Sequence, residues 1–258
     1  MSTLIRRPAV PPNDFFPPVP PMKNLHTVSL ILRTALVSFV SVGALLAFAQ
    51  PAGTLYDPEP PADSAYVRVL HSVKGAAAID VVVDGKARAT KLNFGQVGDY
   101  MVLSAGKHTI ALHPASKDSA LVTFGLDVVR GKSLTLSFPA HKTGTVPIVF
   151  EDKSSTNKLK AMLTVYQLDA QTPSVDVMTA DGNTKVFSAL GYGTSMAIQV
   201  NPIAVELVAA KAGDKQAKTK VPLEMAQGGA YSVFLMSDGA GKMTSIHVQN
   251  KTEVYTGK

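Results

Sequence analysis

The sequence predicts an all-β protein: two tandem small antiparallel β-sandwich domains, immunoglobulin-like in size, following a cleaved signal peptide. Three observations carry this reading. After the first quarter of the chain, apolar residues recur with a period of two, the period of a half-buried strand. The same pattern returns 96 residues later. No amphipathic helix of more than two turns can be drawn in this region. With 46% hydrophobic and 17% charged residues among 258, the chain has apolar content for one or two cores.

The N-terminus is different in kind. Seven of the seventeen prolines fall in residues 1–21, a stretch that cannot be core and that reads as a start assigned too far upstream, with Met22 the true one. Residues 22–49 have the three parts of a secretory signal: Lys23 and Arg33, an uncharged apolar run of 15 residues from Ala35 to Ala49, and the small-residue ending Ala47-Phe48-Ala49. The run falls short of the ~20 residues a spanning helix needs, so cleavage is expected after Ala49. Arg6-Arg7 precedes no apolar run and is not a twin-arginine signal. With no cysteine, the chain offers neither a lipid anchor nor a disulfide.

Residues 50–63 form a Pro-rich arm, and the strands begin at residue 64. In "IDVVVDG", Ile79, Val81 and Val83 share a face and Asp84-Gly85 supplies a tight turn. "DYMVLSAGKHTIALH" reads strand, turn, strand. "SLTLSF" sets Leu134, Leu136 and Phe138 against Ser133, Thr135 and Ser137 on the opposite face. Shifted by 96 residues, "YVRVL…IDV…FG" falls on "MLTVY…VDV…LG", and Asp84-Gly85 agrees with Asp181-Gly182 within one position. A period of that length suits a sandwich of about seven strands and is too long for a solenoid. The domains are placed at 64–151 and 161–258. The polar stretch 152–160 reads as a flexible connector, which makes two domains that move relative to one another the expectation.

Charge excludes one class of partner. Without residues 1–49 the chain keeps 21 basic and 18 acidic residues, a net charge of +3, with no basic stripe interleaved with aromatics, so no nucleic-acid partner is expected. Nor does any motif announce catalysis. His71, His108, His113, His141 and His247 lack the spacing of a zinc site, so no metal and no cofactor is expected. "GYGTS" and "SDGAGK" are neither a nucleophile elbow nor a phosphate loop; the second reads as a hairpin turn. No Asp stands three residues before a histidine, as in secreted esterases and acetyltransferases. Asp80 and Asp176 occupy matching places in the two copies, alternate with buried residues, and read as facing solvent or capping a loop. Tyr66, Tyr100, Tyr166 and Tyr231 read as core packing or a sugar platform, and the absence of tryptophan weakens the latter.

Two resemblances add to this. "LYDPEPPADSAYVRV", residues 55–69, resembles the start of the mature alginate biosynthesis protein AlgF family through Leu55, Tyr56, Pro58, Ser64, Tyr66, Val67, Arg68 and Val69. The resemblance implies a periplasmic protein of two β-sandwiches that serves as a non-catalytic partner in O-acetylation of an exopolysaccharide, alginate or cellulose. Separate membrane-bound and esterase-like proteins would supply the acetyl transfer. The first domain also resembles a widespread exported β-sandwich module of unknown role, through Asp80, Asp84, Gly85, Tyr100, Ala105, Gly106 and His108.

The expected function is therefore an adaptor that binds the acetylation enzymes, with the glycan as a further candidate partner, Tyr56 and Arg68 as exposed partner contacts and no catalytic residue. The alternatives are a polysaccharide-binding module acting without enzyme partners and an unfamiliar acetylesterase or acetyltransferase.

Overall fold

Alternating strands separated by Gly-containing turns build two copies of one topology. A computed structural model describes residues 59–72, 77–138, 147–155, 157–214, 216–238 and 240–255. The expected signal peptide, residues 1–21 and most of the Pro-rich arm lie outside these. Copy one holds β1 (Ser64–Leu70), β2 (Ile79–Val83), β3 (Lys86–Leu92), β4 (Met101–Ser104), β5 (Gly106–Pro114), β6 (Val122–Val128), β7 (Ser133–Ser137) and β8 (Ile148–Glu151). Copy two holds β9 (Ala161–Leu168), β10 (Ser174–Thr179), β11 (Lys185–Gly191), β12 (Ser195–Val200), β13 (Ile203–Lys211), β14 (Ala217–Met225), β15 (Ala230–Ser237) and β16 (Met243–Gln249). No helix occurs among the described residues, and so none there is long and apolar enough to cross a membrane.

Each copy packs one four-stranded sheet on another: β4-β1-β7-β8 on β3-β2-β5-β6, and β12-β9-β15-β16 on β11-β10-β13-β14. Among the described residues the sandwiches thus have eight strands each where about seven were expected, and they are not wholly antiparallel. β1 runs parallel to β7, and β9 parallel to β15, because the first strand of each copy inserts between the fourth and seventh. Ala65, Val67 and Val69 of β1 meet Ile79, Val81, Ile110, Leu112, Leu134 and Leu136 in the first core. Ala161, Leu163 and Val165 of β9 take the same places in the second, with Val175, Val177, Leu207, Val221 and Val233. Each fully buried aliphatic side chain of this kind stabilises by roughly 1.5–3 kcal/mol relative to exposure.

The matching aspartates have one local job. In both copies a hairpin carries a register shift, and a non-glycine residue there takes a left-handed backbone, Lys91 (φ 54) in β3 and Ala189 (φ 50) in β11. Asp80 accepts from Lys91 N–H at 2.7 Å and Ser116 N–H at 3.2 Å, and Asp176 from Ala189 N–H at 2.8 Å and Gly213 N–H at 3.1 Å. The carboxylates therefore satisfy the backbone donors that the bulges leave unpaired. Asp176 differs from the solvent-facing alternative: it is 3% exposed and also accepts from Lys185 at 2.8 Å. That bond first, then those from Ala189 and Gly213, outweigh desolvation and hold its pKa at about 2.

The expectation of two independently moving domains is corrected. All described residues belong to one compact unit, residues 53–258. The second face of β1, β7 and β8 packs against the second face of β9, β15 and β16. Leu70 and Phe150 from copy one join Tyr166, Leu168, Phe234 and Met236 from copy two in a third apolar cluster. This is why β9 is buried at all eight positions, and why Thr135 and Ser137, expected on a solvated face, are fully buried.

The contact is reciprocal. Gly95, in the turn before β4, abuts Ile246 of β16, while Gly193, in the matching turn before β12, abuts Ile148 of β8. Registers make Ile148 and Ile246 equivalents, as they do Gly95 and Gly193 within a position or two. The copies are therefore related by an approximate two-fold, the arrangement of an isologous dimer within one chain.

Replacing Asp176 by Ala is expected to cost about 1–3 kcal/mol, since it removes the acceptor of two part-buried N–H bonds and of the Lys185 ammonium, and more than Asp80→Ala, whose bonds are exposed. Because its pKa lies below the ordinary 3.8, the contribution of Asp176 is full above that value and declines as pH falls toward 2. Urea denaturation at pH 7 and pH 3 should show the gap between wild type and Asp176→Asn narrowing at the lower pH.

Candidate functional site: a sealed polar cluster between the copies

Arg68 has the wrong chemistry for its place. It sits on β1 between Val67 and Val69, which alternation directs into the first core, so its side chain leaves by the other face. That face was expected to be solvated, with Arg68 offering an exposed guanidinium to a partner. Instead the second sandwich covers it, and Arg68 is 1% exposed. The premise of an exposed contact is therefore corrected for Arg68, while Tyr56 lies outside the described residues.

The guanidinium bonds to both copies. Nε donates to Thr135 Oγ1 of β7 at 2.9 Å, Nη1 to Asn250 Oδ1 at 2.8 Å, and Nη2 to Ser232 Oγ of β15 at 2.8 Å, with Tyr166 OH at 3.5 Å. Its carbon lies 4.3 Å from the Tyr100 ring centre and 5.6 Å from that of Phe234, so aromatic faces supply further compensation for the charge. Tyr166 stacks on Phe234 at 4.5 Å and meets Phe150 edge-on at 5.1 Å.

Asp152 supplies the opposite charge through hydroxyls. Its Oδ2 accepts from Thr135 at 2.6 Å and Tyr100 at 2.7 Å, and its Oδ1 from Tyr166 at 2.5 Å. Thr135 thus accepts from Arg68 and passes its own proton's bond to Asp152. Burial first, reinforced by Asp152 and only partly offset by Arg68, pushes both the Tyr100 and Tyr166 hydroxyls well above the ordinary tyrosine range. Both therefore stay protonated as donors. No described buried side-chain nitrogen or oxygen lacks a partner.

Asp152 was read as the first connector residue, and Asn250 was not singled out. They are equivalents: Asp152 N–H donates to Ser133 O and Asn250 N–H to Ala230 O, each at 2.8 Å, just past β8 and β16. Thr135 and Ser232 are likewise equivalents on β7 and β15. The signal was available. Extended past the eighth strand, the repeat places a polar residue at both positions in both copies.

The other candidates serve the fold locally. His71 Nε2 donates to Ala77 O at 3.0 Å, and burial lowers its pKa against that bond's opposing pull. His108 places Nδ1 2.6 Å from Asp84 and Nε2 2.9 Å from Ser104 O. Burial works against its protonation, but the Asp84 bond, the carbonyl and the Asp84 charge together raise its pKa. The motif residues Asp84 and His108 are thus a turn clamp, and Asp84 also caps Thr109 N–H at 2.8 Å. "GYGTS" is the turn before β12. "SDGAGK" joins β15 to β16, with Asp238 accepting from Ala240 N–H and Lys242 N–H. His113 bonds Lys117 O, and His141 lies outside the described residues. Among the described residues, no three metal-ligating side chains converge.

Fold and site together define a duplicated all-β scaffold, two sandwiches of one topology locked by an internal charged cluster. Comparison with known proteins carries this further. The alginate biosynthesis protein AlgF of Pseudomonas putida is 25% identical over 218 residues, 82% of this chain and 91% of that protein. AlgF of Pseudomonas aeruginosa is 28% identical over 231 residues, 89% of this chain and 96% of that protein. The chain is thus similar to two AlgF proteins along nearly their whole length. A family model described as a domain of unknown function (DUF4397) matches residues 65–178, copy one and the first two strands of copy two. The solved C-terminal domain of AlgF from P. aeruginosa matches 36% of this chain over 100% of its own length, at 26% identity and a TM-score of 0.31.

Arg68→Met leaves Asp152 buried without its compensating charge and is expected to cost about 3–5 kcal/mol, splitting thermal unfolding into two transitions as the copies uncouple; calorimetry reads this directly. Tyrosine ionisation followed in the ultraviolet should leave at least Tyr100 and Tyr166 protonated past pH 10 in the folded protein, with all seven tyrosines ionising once it unfolds. Raised hydroxyl pKa values make their stabilisation complete below pH 10 and progressively lost above it.

Proposed function

We propose that this protein is a non-catalytic periplasmic adaptor in O-acetylation of an exopolysaccharide of the alginate type, exported by a signal peptide cleaved after Ala49. The observation that carries this is the use made of its most reactive-looking cluster. Arg68, Asp152, Tyr100 and Tyr166 are buried and bonded to one another and across the two sandwiches. A compact body whose buried polar cluster is taken up by its own assembly offers other molecules its outer surfaces, which is what an adaptor between enzymes needs. Similarity to the AlgF proteins supports the pathway, and the AlgF likeness of residues 55–69 supports the compartment.

One observation favours direct polysaccharide binding as a second reading. A cleft of about 800 Å³ opens on copy two between β14 and β16, floored by Val205, Leu223 and Tyr231 and rimmed by Glu206, Glu224 and His247. The two carboxylates oppose a polyuronate such as alginate and leave this reading to neutral glycans.

Deleting the gene should abolish or sharply reduce the acetyl content of the secreted polymer while polymer is still made, and a tagged chain should co-purify with the acyltransfer proteins. Unchanged acetyl content overturns the adaptor reading. Tight binding of neutral glycan by the purified protein alone would favour the second.

A further inference from the structure

Copy one shows what an edge of this sheet accommodates. After β16 the chain crosses back as a strap, residues 250–255, and runs parallel to β4 through the Tyr100–Thr252 bridge. Tyr100 N–H donates to Lys251 O at 2.9 Å, Glu253 N–H to Tyr100 O at 2.8 Å, and Val102 N–H to the Glu253 carboxylate at 3.0 Å. Arg88 of β3 pairs with the same carboxylate.

The duplication locates the matching edge. Val67 faces Met101 across β1 and β4, and Leu163 faces Ile198 across β9 and β12. Tyr100, Met101 and Val102 therefore correspond to Ala197, Ile198 and Gln199. The N–H groups of Ala197 and Gln199 and the Ala197 carbonyl point out of the sheet, where the strap would bond them. Among the described residues, no hydrogen bond reaches these groups from outside their own sheet. The residues that correspond in the repeat to the start of the strap are Lys153–Ser155, and they have to continue into β9.

β12 also lacks the features that blunt an edge. Ser195–Val200 has no charge, no proline and an unbroken register with β9. Met196 and Ile198 are 40% and 38% exposed. Other edges differ: β3 and β11 are bulged, β6 carries Gly125 and Asp127, β8 has four residues, β14 carries Lys218, Lys220 and Pro222, and β16 is closed by Ser245 against Lys220 O.

We infer that the β12 edge accepts an extended segment of a partner protein, which adds as a fifth strand parallel to β12 in the place the strap occupies on β4. Backbone bonds to Ala197 and Gln199 hold it, and alternate apolar side chains cover Met196 and Ile198. Val186 stands where Arg88 stands in copy one. The segment therefore carries an apolar residue where the strap carries Glu253. This inference rests on the adaptor reading only in taking the partner to be a protein.

The test uses residues 50–258 and a synthetic peptide of residues 248–257 bearing Glu253→Val, with the unchanged peptide for comparison. Amide exchange and chemical shifts are followed by NMR. The Val peptide should slow exchange at Ala197 and Gln199 by about tenfold or more, and the Glu peptide should bind more weakly. Ala197→Pro removes an outward N–H while leaving the bonds to β9 intact, so it should abolish the effect with thermal unfolding little changed. No response at β12, or an equal response in Ala197→Pro, overturns the inference. So does protection of the free protein that rises with its own concentration, which would make a second copy the occupant. Unchanged polymer acetylation on gene deletion would remove the adaptor reading and leave peptide binding at β12 standing.

Discussion

A buried guanidinium bonded across an internal interface is the constraint from which the arrangement of this molecule follows. Taking Arg68 out of water is costly unless every N–H finds an acceptor and the charge finds a counterpart. Thr135 on its own copy, Ser232 and Asn250 on the other, the Tyr100 ring and, through hydroxyls, Asp152 meet those demands together. Apolar faces alone tolerate sliding and rotation. A planar fork with acceptors on both sides does not, so the cluster selects one placement of the sandwiches where Leu70, Phe150, Tyr166 and Phe234 would permit several.

The approximate two-fold gives this economy a structural origin. Equivalent strands supply equivalent positions, Thr135 with Ser232 and Asp152 with Asn250, around an axis close to Arg68. The position equivalent to Arg68 in copy two is Thr164, which is buried but small. One cation on the axis is accommodated; two facing each other at that distance would repel in a medium of low dielectric. Symmetry is therefore broken where charge requires it. It is broken again past the eighth strands, where the chain after β16 forms the strap and the chain after β8 proceeds to β9. From that difference comes the contrast between a covered β4 edge and an open β12 edge.

Much of the fold was legible. Period-two alternation assigned the core-facing residues correctly along β2 and β7, and the 96-residue shift identified the duplication because Asp80 and Asp176 hold the same bulge in each copy. The eighth strand of each sandwich was harder to read. β8 spans four residues, and β16 carries His247 among its apolar positions. The parallel pairing of first and seventh strands leaves no trace in alternation, since a residue's face is the same whichever direction its neighbour runs.

The sequence by itself determined which side chains turn toward each sandwich core, where the tight turns fall and that the unit occurs twice, because these depend on local backbone geometry and on residues near in the chain. Only the tertiary structure decided what covers the outward faces. Arg68 meets Ser232 and Asn250 across separations of 164 and 182 residues, and a strand's alternation reports that a residue leaves its core without reporting whether water or another sheet receives it.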